Sequence, residues 1–374
     1  MKIGLVCPYN IFSGGGVQEC VFALQKELNS RGYDAYIITP KPSKNLDNHL
    51  DKVILLGKSR PIRAAKTSAQ ISINIETDAI EDVLRSHNFD VLHFHEPWIP
   101  MLSMQMMSSS DAAHVATFHA AMSERRTSRT VERVITPYTK SIFKYIDALT
   151  AVSPTATNYV KTLTKKPIEI VTNGIDLKKY SYTNNHKLDP KVKKIFYVGR
   201  LEKRKGLKYL LDAFKLLSDE DSSYKLIIAG DGPDREKLEL YVKREKIKNV
   251  KFLGYIDEET KVQLFGESDI FCSPALYGES FGIVLLEAMA RGCVVVAGDN
   301  SGYASVMEGR GQISLVNPRY TVDFARRIKL LATDEMLRSA WKDWALEHVK
   351  QFDYKKVVDG YESVYKNAYE KHKK

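Results

Sequence analysis

Two glutamates, Glu279 and Glu287, stand seven residues apart in the run Gly278-Glu279-Ser280-Phe281-Gly282-Ile283-Val284-Leu285-Leu286-Glu287-Ala288-Met289-Ala290. The spacing predicts a helix from Gly282 to Arg291, with the first carboxylate ahead of it and the second about two turns inside. A polyol phosphate lying along that helix start would place its phosphate near the amides of Phe281, Gly282, Ile283 and Val284, and its hydroxyls against the carboxylates, which accept hydrogen bonds. Glu287 is surrounded by Leu285, Leu286, Ala288 and Met289. Buried there, it needs a partner, and a salt-bridged structural glutamate fits the spacing equally well.

Cations for such a phosphate stand upstream, in Tyr197-Val198-Gly199-Arg200-Leu201-Glu202-Lys203-Arg204-Lys205-Gly206. Arg200 falls at the carboxyl end of a strand and Lys205 at the entrance of the next helix, where fixed positive charge stabilises a departing diphosphate. Lys203 and Arg204 read as an ordinary solvated loop. A third element, Gly14-Gly15-Gly16, lies between a strand and a helix, so that Gly15 and Gly16 let backbone amides approach an oxygen-rich ligand. It lacks the G-x-G-x-x-G order of a dinucleotide fingerprint, and a flexible turn accounts for it as well. His119 closes an apolar strand-like run, a place where a histidine is more often structural.

These residues sit on a repeating pattern. Lys2–Cys7, Val17–Ser30 and Ala35–Thr39 read as strand, helix and strand, with Val21, Leu24 and Leu28 at helical spacing. Further β-rich runs occur at 90–95, 114–119, 148–152 and 168–172, and a second series begins at Lys194. Strands alternating with helices predict α/β domains with parallel sheets covered on both faces. The polar stretch Ser181–Lys193 separates the two series. Two doubly wound, Rossmann-like domains should face one another across a cleft, with ligands beyond the carboxyl ends of their strands.

The composition suits a globular chain: 374 residues, 44% hydrophobic and 27% charged. Its formal charge of +10 favours an anionic partner without choosing among nucleic acid, acidic membrane and phosphorylated substrate. A nucleic-acid role ranks last, because no basic stripe carries an aromatic stacking platform. Cys7, Cys20, Cys272 and Cys293 lack metal-site spacing and read as buried thiols of a reducing cytosol. The apolar run at the N-terminus is too short for a signal peptide or a membrane span, which leaves a soluble or membrane-surface protein. Asp219-Glu220-Asp221 offers a D-x-D metal motif, but its setting reads as a solvated loop.

E-S-F-G-I-V-L-L-E-A-M-A, the upstream G-R-x-x-x-x-K-G, the N-terminal G-G-V-Q and Asn173-Gly174-Ile175-Asp176 together resemble the GT-B retaining glycosyltransferases of family 4, in order over nearly the whole chain. Within that family, Val6–Tyr9, Gly15–Gln18, Phe89–Pro97, Ala116–His119 and Gly278–Glu287 look like phosphatidylinositol mannosyltransferases of the mycobacterial type. The resemblance implies an N-terminal acceptor-binding domain, 1–175, completed by a returning helix over about 354–374, and a nucleotide-sugar-binding domain, 176–353. It implies a hexose donor, GDP-mannose or a UDP-hexose, a hydroxyl acceptor that is either phosphatidylinositol-like or otherwise lipid-linked or of a different kind, and no metal or other cofactor. It places Gly16 against the diphosphate, Arg200 and Lys205 on the phosphates, Glu287 on the ribose, Glu279 at the transferred sugar, His119 at the reacting centre, and Tyr255 and Ile256 at the base. Sugar-nucleotide epimerases share the architecture but not the paired E-S-F-G…E arrangement.

One stretch departs from the pattern. Relatives of that type carry a basic amphipathic segment for acidic membranes, whereas Ile75–Leu84 here is acidic. Two other basic clusters, Arg125, Arg126, Arg129 and Arg133, and Lys58, Arg60, Arg63 and Lys66, are alternative contacts for lipid headgroups or simply solvated faces. The resulting expectation is a cytoplasmic enzyme, either free or at the inner face of the cell membrane.

Overall fold

A computed structural model describes residues 1–13, 15–42, 50–64, 67–74, 77–120, 135–182 and 191–374, with backbone alone for 58–64 and 67–74. The chain divides into two compact units, Met1–Gly174 with Tyr354–Lys374, and Ile175–Asp353. The crossing at Gly174 therefore precedes the polar run that begins at Ser181.

The first unit holds β1 (Lys2–Val6), α1 (Gly16–Ser30), β2 (Asp34–Lys41), β3 (Val53–Ala64), β4 (Thr67–Asn74), α2 (Thr77–His87), β5 (Val91–His95), α3 (Leu102–Ser109), β6 (Ala113–Phe118), α4 (135–142), β7 (Ala148–Ala151), α5 (Thr157–Val160) and β8 (Ile168–Ile170). Its sheet runs β4-β3-β2-β1-β5-β6-β7-β8. All pairs are parallel except β3 with β4. Every residue of β5 and β6 is buried, as expected of parallel strands covered on both faces. The β3–β4 pair is absent from the sequence reading because Lys58, Arg60, Pro61 and Arg63 interrupt the apolar alternation that marks a strand.

The last helix, α13 (Tyr354–His372), belongs to this unit. Val357, Val358, Tyr361, Val364 and Tyr365 join one core with Val21, Leu24 and Leu28 of α1 and with Ile3 and Leu5 of β1. At its rim Arg31 reaches Asp359 at 2.6 Å and Glu362 at 3.0 Å. Tyr365 also meets buried His93 of β5, Oη to Nδ1 at 2.8 Å.

The second unit carries β9 (Lys193–Val198), α6 (Leu207–Glu220), β10 (Tyr224–Ala229), α7 (Arg235–Arg244), β11 (Val250–Gly254), α8 (Glu258–Gly266), β12 (Ile270–Ser273), α9 (Ile283–Ala290), β13 (Val294–Gly298), α10 (Ser301–Ala304), β14 (Leu315–Val316), α11 (Thr321–Thr333) and α12 (Glu335–His348). Its wholly parallel sheet runs β11-β10-β9-β12-β13-β14. The winding direction therefore reverses between β9 and β12 here, and between β1 and β5 in the first unit. Crevices open beyond the carboxyl ends of strands at such reversals.

The Tyr365–His93 contact yields a test of how α13 is anchored. Tyr365→Phe keeps the ring and strands a buried imidazole nitrogen, so unfolding free energy should fall by about 1–3 kcal/mol, read from the denaturant midpoint.

Candidate active site

At the reversal in the second unit, the loops after β9 and β12 lie side by side, joined by the Leu276 N–H donating to the Arg204 carbonyl at 2.8 Å. Gly206 permits this approach: its φ is 72°, and a Cβ there would stand 2.0 Å from the Pro274 carbonyl oxygen. The short 3-10 turn Lys203–Lys205 then turns Lys203 outward and brings Arg204 and Lys205 in. Both cations converge on Glu279 Oε1, Arg204 at 2.6 Å and Lys205 at 2.9 Å, and the Glu279 side chain is only 12% exposed. Arg204 also meets Glu202 at 2.7 Å, and Glu202 lies 3.9 Å from Arg200. The result is a chain of alternating charge, Arg200–Glu202–Arg204–Glu279–Lys205, with Arg200 at its exposed end.

Arg204 thus corrects the reading of Lys203-Arg204 as a solvated loop. It links two carboxylates and donates to the Gly278 carbonyl at 3.2 Å. A run of adjacent charges has no periodicity, so only the turn geometry separates the inward residues from the outward one.

Beyond this chain α9 begins, after Gly282. The first amides of a helix have no partner within it, and those of Ile283 and Val284 are the first of α9. The Phe281 ring is part of the core, packed edge-on to Phe352 at 5.6 Å. Glu287 is buried on α9 and meets Lys261 of α8 at 2.9 Å. Lys261 also reaches Glu258 at 3.1 Å, and Glu258 accepts a hydrogen bond from Tyr180. The partner that Glu287 required is therefore a lysine of the neighbouring helix. Tyr255 and Ile256 follow β11, with Tyr255 86% exposed and Ile256 half-buried.

Asp219 and Glu220 belong to the last turn of α6 rather than to a loop, and Asp221 follows as its C-cap. Each is ion-paired, Asp219 to Lys215 at 2.5 Å, Asp221 to Lys193 at 2.8 Å and Glu220 to Lys329.

In the first unit, the loop after β1 is pinned by Thr39 of β2, whose hydroxyl donates to the Tyr9 carbonyl at 2.7 Å. Gly15 caps α1 with φ 152°, and Gly16 is its first residue. Gln18 folds back to Ser13 Oγ at 3.3 Å, so it shapes the loop. His119 follows β6, buried, with Nε2 at 2.8 Å from His95 Nδ1. Burial pushes the His119 imidazole down to about 4, partly offset by the Asn173 side chain. Burial also holds His95 well below the ordinary range, so both rings are neutral at pH 7 and one donates its N–H to the other. Glu96 receives the backbone of His119 and has no role in the sequence reading, although its position in Phe94-His95-Glu96-Pro97 at a strand end was a visible signal. Arg125, Arg126, Arg129 and Arg133 lie outside the described residues, as do Lys66 and the side chains of Lys58, Arg60 and Arg63.

The chain matches two family descriptions in succession, Glycosyltransferase Family 4 over residues 14–179 and Glycosyl transferases group 1 over residues 179–348. It is 32% identical over 364 residues to a phosphatidyl-myo-inositol mannosyltransferase of Mycolicibacterium smegmatis, covering 96% of this chain and 91% of that one. The chain is a family 4 glycosyltransferase.

Its fold is that of solved GT-B enzymes. Sucrose-phosphate synthase from Thermosynechococcus elongatus superposes with a TM-score of 0.81 at 18% identity, over 99% of both chains. Anabaena HepE in complex with UDP and glucose gives 0.76 at 19% identity, over 97% of this chain and 99% of that one. In this glycosyltransferase the alternating charges and the Glu287–Lys261 pair occupy the ends of β9 and β12 and the adjoining helix α9, where the fold class places ligands.

Two substitutions test the local energetics. Lys261→Ala leaves Glu287 buried without its cation and should cost about 3 kcal/mol, and adding Glu287→Gln should recover part of it, both read from denaturant midpoints. Gly15→Ala forces a side chain to φ 152° and within 2.7 Å of Gln18 Oε1. It should lower stability by about 1–3 kcal/mol, whereas Gly16→Ala, at a helical position, should leave stability nearly unchanged.

Proposed function

We propose that this glycosyltransferase moves a hexose, with retention of anomeric configuration, from a nucleotide-diphosphate donor to a hydroxyl acceptor. Mannose from GDP-mannose is the leading donor and a phosphatidylinositol-like or other lipid-linked alcohol the leading acceptor. The observation that carries this reading is the convergence of Arg204 and Lys205 on buried Glu279 beside the start of α9. The similarity to a mannosyltransferase supports the choice of sugar.

In this reading Arg200, Lys205 and the first amides of α9 neutralise the diphosphate as the sugar C1–O bond breaks. Gly15 and Gly16, at the opening of α1, are assigned to a donor phosphate. Glu287, oriented by Lys261, accepts from the ribose hydroxyls. Glu279 Oε1 is held by two cations, so Oε2 is assigned to a hydroxyl of the transferred sugar. The acceptor oxygen bonds to C1 on the face the diphosphate leaves, and its proton passes to the departing phosphate. His119, neutral above about pH 4, belongs at the reacting centre. Tyr255 and Ile256 are assigned to the base. The side-chain cations supply the charge stabilisation that a metal ion supplies elsewhere, so metal independence is part of the proposal.

Among the described residues no helix is long and apolar enough to cross a membrane. Contact with an acidic membrane at the inner face of the cell membrane would be peripheral. The exposed face of α2 presents Asp78, Glu81 and Asp82 and is unsuited to it.

A thermal-shift and hydrolysis panel of GDP-mannose, UDP-glucose, UDP-galactose and UDP-N-acetylglucosamine, with and without a chelator, tests the reading. GDP-mannose alone should stabilise the protein and be turned over, regardless of chelation. A UDP-sugar response would replace the donor, loss on chelation would remove metal independence, and a product of inverted configuration would end the mechanism.

A further inference from the structure

Glu96 is a charged residue that the reading above leaves without work. It lies just past β5, is 1% exposed, and holds a left-handed φ of 49° that residues with a Cβ rarely adopt. Its own backbone is fixed on both sides, its N–H donating to the Thr117 carbonyl at 2.9 Å and its carbonyl accepting from Ile99 N–H at 3.1 Å. Among the described residues its carboxylate meets three donors. Oε1 accepts the N–H of His119 at 2.7 Å and that of Ala120 at 2.5 Å, and Oε2 accepts the indole N–H of Trp98.

We propose that Glu96 is a positioning residue, whose carboxylate clamps the backbone at His119 and Ala120 and thereby fixes where the His119 imidazole stands. The proposal rests on the reading of His119 as a residue of the reacting centre. Its geometric basis is the all-donor surroundings. An ionised carboxylate accepts from three N–H groups at once, whereas a carboxylic acid would turn its own O–H toward donors. Glutamine reproduces only part of the clamp, because its NH₂ would face the Trp98 N–H.

The titratable groups facing Glu96 are Cys7 and Tyr9 from the segment after β1, and His119 from the end of β6, whose own imidazole is neutral. Among the described residues none supplies a cation. Burial accordingly pushes the Glu96 carboxyl up to about 7, against the pull of its three hydrogen bonds. Its folded value lies above its unfolded one, so its stabilising contribution is complete below the unfolded value and is lost as pH rises through about 7. The fold is more stable with Glu96 protonated, and the clamp is complete only with Glu96 ionised. A group that costs stability in the form its contacts require is one placed for function.

The test combines two readouts. The first is donor turnover from pH 5 to 9 for wild type, Glu96→Gln and His119→Ala. The second is tryptophan fluorescence against pH, taken as the difference between wild type and Trp98→Phe so that Trp341 and Trp344 cancel. In wild type kcat should fall about tenfold per pH unit below a midpoint near 7, and the Trp98 signal should titrate with the same midpoint. Glu96→Gln should retain the wild-type circular dichroism, lower kcat by roughly 10–100-fold with donor KM changed less than about twofold, and abolish both the acid limb and the Trp98 titration. Unchanged kcat and acid limb in Glu96→Gln would overturn the positioning role. A wild-type Trp98 signal that does not titrate would overturn the clamp itself, whether or not Glu96→Gln folds. Failure of the underlying reading is separately visible: His119→Ala would turn over donor like wild type while the Trp98 titration persisted.

Discussion

Parallel pairing constrains everything else in this molecule. Parallel strands need a crossover between them, so each helix returns the chain to the same edge and every loop beyond a strand's carboxyl end emerges on one side. Where winding reverses, at β1/β5 and β9/β12, two such loops become neighbours without a helix between them. The residues with chemical potential lie in these loops or just beyond them: the glycine segment and Glu96 in the first unit, Arg200 to Lys205 and Glu279 in the second. Gly206 shows how close the approach is, since a methyl group there would collide with the facing carbonyl.

Charge buried at those edges is compensated in three different ways. Among the described residues, Glu279 is shared by two cations, Glu287 has a single lysine from the neighbouring helix, and Glu96 has only N–H donors. The consequences differ. The first arrangement leaves a surplus of positive charge beside a helix start, suited to a diphosphate. The second orients one carboxylate against a lysine of the neighbouring helix. The third leaves the carboxyl titrating near neutrality. The backbone it holds carries neutral His119, itself bonded to neutral His95, and among the described residues no cation faces that group.

Much of this was legible in the sequence because it is periodic or punctuated by glycine. Val21, Leu24 and Leu28 announced α1, and the glycine at 282 marked the start of α9, with Glu287 inside the helix as its fifth residue, closer to the start than the two turns expected. The family assignment followed from spaced motifs. What escaped depends on three-dimensional turns. Arg204 was indistinguishable from Lys203 until a 3-10 turn separated them, and Lys261 lay 26 residues from the glutamate it neutralises. Glu96 stood in a quoted motif, but its role depends on amides from β6, a partner that no local pattern reveals. The β3–β4 pair was hidden by charges and a proline within its strands.

The account stands on the second unit holding a nucleotide with Glu287 on its ribose. Calorimetric titration of GDP and of 2′,3′-dideoxy-GDP into wild type and Glu287→Gln addresses this directly. The account predicts that Glu287→Gln weakens GDP binding about tenfold, equivalent to about 1.4 kcal/mol, and leaves the dideoxy compound's affinity unchanged. Equal weakening of both, or of neither, would contradict it.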